Sequence, residues 1–444
     1  MPFGLLFGVM FVISYARSRS ILAPAPLWNF CWCMLFVVGA VLGGGYFIDT
    51  SSTVFLFLLA ASFNLFPLLA TTSSVPLGAG SERAQLMQRA VRSPGWLLLA
   101  TAVVGLAGAF DLSAELGHSI FSLDSIAEIF DAGKENAAEL YQGTVTRSAG
   151  QTLSYATVQF GAAAVGARIR IQTDRWSWLL LAVNAMSAMS WSVVTTQRSY
   201  FLVPLLWFVA GYVAAAVATG NERISGKAIG WAVLTAGVVV AFVVFARAIR
   251  VAGANSAFDM SVVAQGKHWA ACYIPTFAQW HSDGGGSVIY PLRLFSGVLS
   301  FIGLDVEDGV TADGETFTYI GNGLTSNAAT MMRAVVLTGG TFGAFLIVIL
   351  LGALSQIVYA NARCGRTWAV AIYTGVVAMI IWSVNAWQFS YGNRVLAQVL
   401  ILVALFSSVW LARRRQRPAV GGGRLVGHRG DIGVGPSRAI TTAG

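Results

Sequence analysis

The feature that most constrains this chain is a rhythm. Uncharged apolar runs recur along it, and the connections between them carry either clusters of arginine or acidic and neutral turns. A bilayer core about 30 Å thick takes about 20 apolar residues of helix to cross, and runs of this kind fall at residues 2–14, 27–42, 54–74, 96–110, 152–167, 176–195, 200–219, 228–245, 335–360, 368–388 and 395–410. Only 11% of the residues are charged and 56% are apolar, whereas about a quarter of a soluble domain is charged. The sequence therefore predicts an all-α fold, a polytopic transmembrane helical bundle of about eleven spans.

The basic clusters orient it. Arg17 and Arg19, then Arg83, Arg89 and Arg92, then Arg168, Arg170 and Arg175, then Arg223 and Lys227, then Arg363 and Arg366, and last the run from Arg413 to Arg417 all fall on one side if the runs alternate in direction. Placing that side in the cytoplasm puts the N-terminus outside and the C-terminus in the cytoplasm, in a cytoplasmic (inner) membrane. The first run, with no small-residue cleavage site after it, reads as a retained helix and not as a signal peptide. Residues 1–417 form one integral domain with a large outer loop at about 252–328 that holds short helices, and residues 418–444 form a Gly-rich disordered cytoplasmic tail. Ser125 and Glu128 have capping-box spacing before a helical apolar repeat, which predicts a surface helix in the acidic segment. The net charge of +9 comes from arginines between spans and in the tail, so it argues against nucleic acid as a partner. Cys31, Cys33, Cys272 and Cys364 are too few and too scattered to form a disulfide framework.

With the chain oriented, some arginines sit away from the cytoplasmic side. Arg198, Arg247, Arg250, Arg293, Arg333 and Arg394 fall on the outer face or in the outer ends of helices. A charge at membrane depth costs several kcal/mol and is kept for a partner or a ligand, unless it snorkels to the surface. The planar guanidinium fork suits phosphate or diphosphate, so several of these arginines converging on one outer cavity would make an anion site. Arg198 is the sharpest case because its turn, Thr196 to Ser199, is too short to let it wander.

Candidate proton acceptors are His281 and Asp283, with His268 and Asp49 behind them; each of these also reads as an ordinary solvated loop residue. The run through Asp305, Glu307, Asp308, Asp313 and Glu315 reads as a solvated loop, with a calcium site as the alternative. Gly284-Gly285-Gly286 lacks the strand and the Gly-Lys-Ser/Thr of a phosphate loop and reads as a hinge. Trp269, Tyr273, Phe277, Trp280 and Tyr290 form a stripe that either docks on the membrane interface or stacks on sugar rings.

Two stretches and the layout carry a resemblance. Gln197-Arg198-Ser199-Tyr200 opens a mid-chain helix, and Ser326-Asn327-Ala328-Ala329-Thr330 leads through Met331 to Arg333 into a helix broken by Gly339, Gly340 and Gly343. With one large outer loop in the second half, these features resemble the Wzy-type O-antigen, or oligosaccharide repeat-unit, polymerases. The resemblance implies a GT-C-like, metal-independent glycosyltransferase that joins polyprenyl-diphosphate-linked repeat units on the outer face. It implies no cofactor, and as partners the lipid-linked glycan, membrane lipid, a flippase and a chain-length regulator. Arg198, Arg293 and Arg333, backed by Arg250 and Arg394, would hold the diphosphate, with His281 as base. The chain departs from some members in lacking their Arg-x10-Gly repeat in the outer loops. A secondary transporter or flippase remains an alternative, although no internal repeat is visible. So does an O-antigen ligase, although such ligases carry a histidine where this chain has Ser326.

Overall fold

The computed structural model describes residues 2–69, 95–115, 128, 148–195, 197–222, 262–286, 290–302, 304, 318–321, 323–326, 328 and 330–416. Arg247 and Arg250, the basic loop 83–92, the expected surface helix apart from Glu128, the span 228–245, the acidic run 305–315 and the tail 418–444 lie outside the described residues. The chain is an all-α membrane protein. Its helices are α1 (Pro2–Ser18), α2 (Pro24–Leu42), α3 (Thr50–Ser62), α4 (Leu65–Leu69), α5 (Gly95–Glu115), α6 (Ala149–Ile171), α7 (Arg175–Thr195) and α8 (Ser199–Ala218). After these come the loop helices α9 (Val262–Ala271), α10 (Tyr273–Ser282) and α11 (Ser296–Phe301), and then α12 (Met331–Arg363), α13 (Thr367–Trp382) and α14 (Gly392–Gln416). Among the described residues, six helices are long and apolar enough to cross a membrane: α2, α5, α7, α8, α12 and the Gly392–Ala412 part of α14. Helices α1, α3 and α13 are apolar but shorter.

Two expected spans are broken. Residues 54–74 were expected to be one helix, but α3 ends at Ser62 and α4 restarts at Leu65. Pro67 has no amide hydrogen to bond the carbonyl four residues back, Phe63, so helix cannot run through unmodified. Asn64 at the break pairs with Asn29 of α2 by a reciprocal amide contact, Asn29 Nδ2 to Asn64 Oδ1 at 3.0 Å and Asn64 Nδ2 to Asn29 Oδ1 at 2.8 Å. Gly352 of α12 lies against the break so closely that a Cβ there would sit 2.1 Å from the Phe63 carbonyl oxygen. The second break is in α12 itself, where Gly340 takes φ 63° and ψ −171°. That conformation is open to glycine alone at ordinary cost, and it separates a short first half-helix, opened by the Thr330 side chain capping Met332 N, from the long apolar part.

Among its described residues, the long loop before α12 holds a feature that the helical reading did not anticipate, an antiparallel hairpin of β1 (Thr318–Gly321) and β2 (Leu324–Ser326). The first strand carries an extra connection, since Phe47 N donates to Ile320 O at 2.8 Å. The turn after α2 is thereby tied to the loop.

Contacts sort the turns onto two ends. At one end, the Tyr373 hydroxyl donates to Leu22 O, Tyr359 donates to Glu222 at 2.7 Å, Arg363 pairs with Glu222 at 2.8 Å, Arg170 donates to Asn221 O, and Arg168 pairs with Asp174 at 3.0 Å. This end gathers basic clusters that the sequence placed on one side. The other end gathers the turn after α2, the α7–α8 turn, the loop elements and the α13–α14 turn, as Phe47 to Ile320, Arg198 over Trp269 and Trp387 to Leu294 show.

The centre is of two kinds. Around α6, α8 and α13 it is built of small residues, among them Ala162, Ala163, Ala210, Ala214, Ala371 and Ala378. Here Gly166 and Gly211 face each other's helix, and a Cβ on either would lie 2.1 Å or 2.0 Å from a carbonyl oxygen, that of Phe208 or Ala163. Small residues let helix backbones approach where lipid offers no hydrophobic drive for association. Toward the end that gathers the loop elements the core is instead aromatic: Phe7, Trp28, Trp32, Phe36, Phe63 and Phe277 pack with Met331 and Met332.

Candidate functional site

The aromatic end is roofed by α9 and α10. In α10 the faces are split: Tyr273, Ile274 and Phe277 enter the aromatic core, while Trp280 and His281 lie at its margin. The aromatic stripe read from the sequence is therefore a packing face at Tyr273 and Phe277, neither an interface belt nor an open sugar platform. Its ends do something else. Trp269 lies under the Arg198 guanidinium, 5.4 Å from the ring centroid, and Trp280 under that of Arg333 at 5.0 Å. A guanidinium over an indole face is attracted by the ring quadrupole by about 0.5–2 kcal/mol, most where water is excluded.

Each expected arginine can now be placed. Arg198 begins α8 with helical φ and ψ of −59° and −29°, held by the short turn after α7 and half-buried. It lies near Tyr273, whose phenol is pushed well above its ordinary pKa by burial against a smaller opposing pull from Arg198. Arg333 stands in the first half of α12 and is only 4% exposed. Arg293 opens a 3-10 turn, Arg293–Phe295, whose Leu294 carbonyl accepts from Trp387 Nε1 at 2.8 Å. Arg394, 6% exposed, lies between Tyr391 at 4.5 Å and Trp382 at 5.4 Å and donates from Nη1 to Gln388 O and Oε1 at 3.3 and 3.2 Å.

These positions are linked by near neighbours. The Tyr155 hydroxyl donates to Tyr200 O at 3.3 Å, just beyond Arg198, and interacts electrostatically with Arg394. Gln388, bonded to Arg394, follows Trp387, which holds the Arg293 turn. Met331 N donates to Ser383 O at 2.8 Å, which ties the half-helix bearing Arg333 to the residue after Trp382. The four described arginines thus lie at the same end of the bundle.

The proton-acceptor candidates separate. The Asp283 carboxylate is exposed and accepts from Gln279 Nε2 at 2.8 Å, a local contact at the end of α10. His268 meets the Tyr46 hydroxyl at 3.3 Å. His281 is more constrained: its ring stacks on Phe55 at 4.6 Å, lies parallel to Phe277 at 5.9 Å, and its Nδ1 is 3.0 Å from Ser52 Oγ. Burial lowers its pKa below the ordinary histidine value, and Asp49 pulls weakly the other way. Asp49 caps α3, accepting from Ser52 N and Ser51 Oγ at 2.6 Å each, and these bonds hold its pKa down to about 2. The turn 282–286 closes back on this corner. Gly285 N donates to Trp280 O at 2.8 Å, and a Cβ on Gly285 would strike the Trp280 ring. Gly285 is therefore packed tightly on Trp280 with no room for a side chain, while Gly284 faces open space and Gly286 lies against Val336.

Sequence reasoning did not single out Ser52, the partner of His281. The signal was present as Asp49-Thr50-Ser51-Ser52, an acidic cap with a hydroxyl three residues on at the start of an apolar run. No protein-family model matches the chain, and neither curated proteins nor solved structures yield a match.

Proposed function

We propose that this chain is a GT-C-like, metal-independent glycosyltransferase. On this reading it joins polyprenyl-diphosphate-linked oligosaccharide repeat units on the outer face of the cytoplasmic membrane. The observation that carries the reading is that Arg198, Arg293, Arg333 and Arg394 share one end of the bundle, two of the four stacked on tryptophans of the loop that roofs it. Both stretches that resemble the polymerases, the Arg198 turn and the first half of α12, lie at this end. The proposed topology has about eleven spans, the arginine-rich end and C-terminus in the cytoplasm, and the roofed end outside.

In this mechanism Arg198, Arg293 and Arg333 grip the diphosphate and stabilise the charge it gains as a leaving group, with Arg394 packed behind them against Tyr391, Trp382 and Gln388, while the roof excludes water and the site orients the acceptor hydroxyl. Positioning and charge stabilisation carry most of the rate. A secondary transporter or flippase for lipid-linked glycan is the second reading, favoured by the break at Gly340, because discontinuous helices line substrate paths in transporters. Purified protein in proteoliposomes, given a lipid-diphosphate-linked repeat unit, separates the two. Elongated product supports transfer. Movement of the substrate across the bilayer with no elongation contradicts it and favours transport.

A further inference from the structure

We propose that residues 290–302 lie in the membrane surface, with Leu292, Phe295, Val298 and Ile302 set among the acyl chains of the leaflet at the roofed end. The segment then forms a lipid-facing sill across α12 and α14, and not a solvated loop. The proposal is independent of the transfer reading.

The segment has two faces. At about 100° per residue, Phe295, Val298 and Ile302 fall within about 60° of one another, and Ile302 N continues the helical turn of α11 by donating to Val298 O at 3.1 Å. These three and Leu292 just before them are each at least 40% exposed. The opposite face is fixed to the bundle. Ser296 Oγ donates to Ser390 O at 3.3 Å, a Cβ on Gly297 would strike the Phe389 carbonyl oxygen, and Leu294 O accepts from Trp387 Nε1 at 2.8 Å. At its start the segment is tied to α12, where Tyr290 N donates to Leu337 O at 2.6 Å. The apolar face is thus held outward, and it cannot turn inward without breaking these bonds.

What covers that face follows from its neighbours. Just past Leu337, α12 exposes a stripe of Phe342, Leu346, Leu350 and Leu354, and Phe342 is 90% exposed. The short helix α11 packs on α14, which exposes Val399, Val403 and Phe406 at helical spacing. Both α12 and α14 contain a stretch long and apolar enough to cross a membrane, and exposed apolar patches of this size on such helices meet lipid. The segment therefore lies across the roofed-end turns of two helices with lipid-facing stripes. Its six-residue helix, about 9 Å long, is too short to span and can only lie in the interface. Arg293 is the one charged residue between 290 and 302, whereas a patch that binds another protein is rimmed by polar groups. The bilayer is the occupant that fits.

The test uses full-length protein in phosphatidylcholine vesicles, with p-benzoylphenylalanine placed at Phe295 and, in a second variant, at Ile302. Ultraviolet cross-links are read by mass spectrometry, with Leu350 as the lipid-facing reference position and the exposed Asp283 as the solvated one. We expect lipid adducts at both positions in yields like that at Leu350 and about tenfold or more above that at Asp283. The unsubstituted protein gives a second reading. Tyr319 of the hairpin is about as exposed as Phe295, 50% against 55%, and hydroxyl-radical oxidation of Phe295 in vesicles should fall about fivefold or more below that of Tyr319. Adducts no more frequent than at Asp283, cross-links to a second copy of the chain in their place, or equal oxidation of Phe295 and Tyr319 overturn the proposal.

Discussion

The α6–α8 interface and the roofed aromatic end are both closely packed, but they are specified by opposite means. At the interface the determining atoms are backbone: Gly166 and Gly211 are read by the absence of a side chain, and alanines surround them. At the roofed end the determining atoms are those of large or polar side chains. Arg198 rests on Trp269, Arg333 on Trp280, and His281 on Phe55 and Ser52. The difference teaches where substitutions should reach. In the first region any added atom disturbs folding, whereas in the second a side chain can be exchanged while the backbone that presents it stays in place.

The largest effect should come from Gly211→Leu. Its Cβ alone would lie 2.0 Å from the Ala163 carbonyl oxygen, backbone that cannot move aside cheaply. We expect a loss on the order of 3 kcal/mol and little protein in the membrane fraction; normal abundance would break the comparison. Next is Arg394→Met, which tests whether every arginine at that end belongs to the site. This guanidinium is enclosed by Tyr391, Trp382 and Gln388, so the change should cost about 1–3 kcal/mol of stability and lower the thermal midpoint. An unchanged midpoint with lost transfer would move Arg394 from anchor to ligand site.

The span rhythm was legible because a membrane helix needs only length and apolarity, both of which composition carries. The Gly-broken helix after Thr330 was legible too, since glycines in an apolar run point to a break, and Gly340 makes it. The break between α3 and α4 was not, although Asn64 and Pro67 stood inside the expected span. What fixes it is the partner Asn29 and the approach of Gly352, both distant in sequence. The hairpin at Thr318–Ser326 had a local signal, Asn322-Gly323 between apolar residues, but a loop reading dominated by helices passed over it. At the roofed end the residue types were legible as isolated charges. Which tryptophan each arginine meets, and that Ser52 meets His281, depends on how the roof docks.

The smallest expected effect is on acid stability. The His281 pKa in the folded protein lies below its ordinary value of 6.5, so the folded state binds fewer protons than the unfolded one in the window just below 6.5. Stability is fully present above that window and declines as pH falls through it. Asp49 acts lower down: its stabilisation is present above 3.8 and is lost as pH falls toward about 2. Solvent screening should keep the His281 effect to no more than about 2 °C in thermal midpoint between neutral and mildly acidic pH, and His281→Gln should remove it. A midpoint that rises on mild acidification would contradict the burial of His281.

The central claim is that the outer arginines act on diphosphate, and Arg198 tests it most directly because it sits in a short turn at a helix start, with a side chain that can be exchanged. Polymer length on a gel, read beside membrane-fraction abundance, should show elongation abolished in Arg198→Ala at normal abundance. Arg198→Lys should restore it only in part, since a point charge lacks the two-pronged grip of the guanidinium. The expected loss is on the order of 2–4 kcal/mol of transition-state stabilisation, about thirtyfold to a thousandfold in rate. Normal polymer from Arg198→Ala would contradict the diphosphate role, and low abundance of that variant would make Arg198 a structural residue.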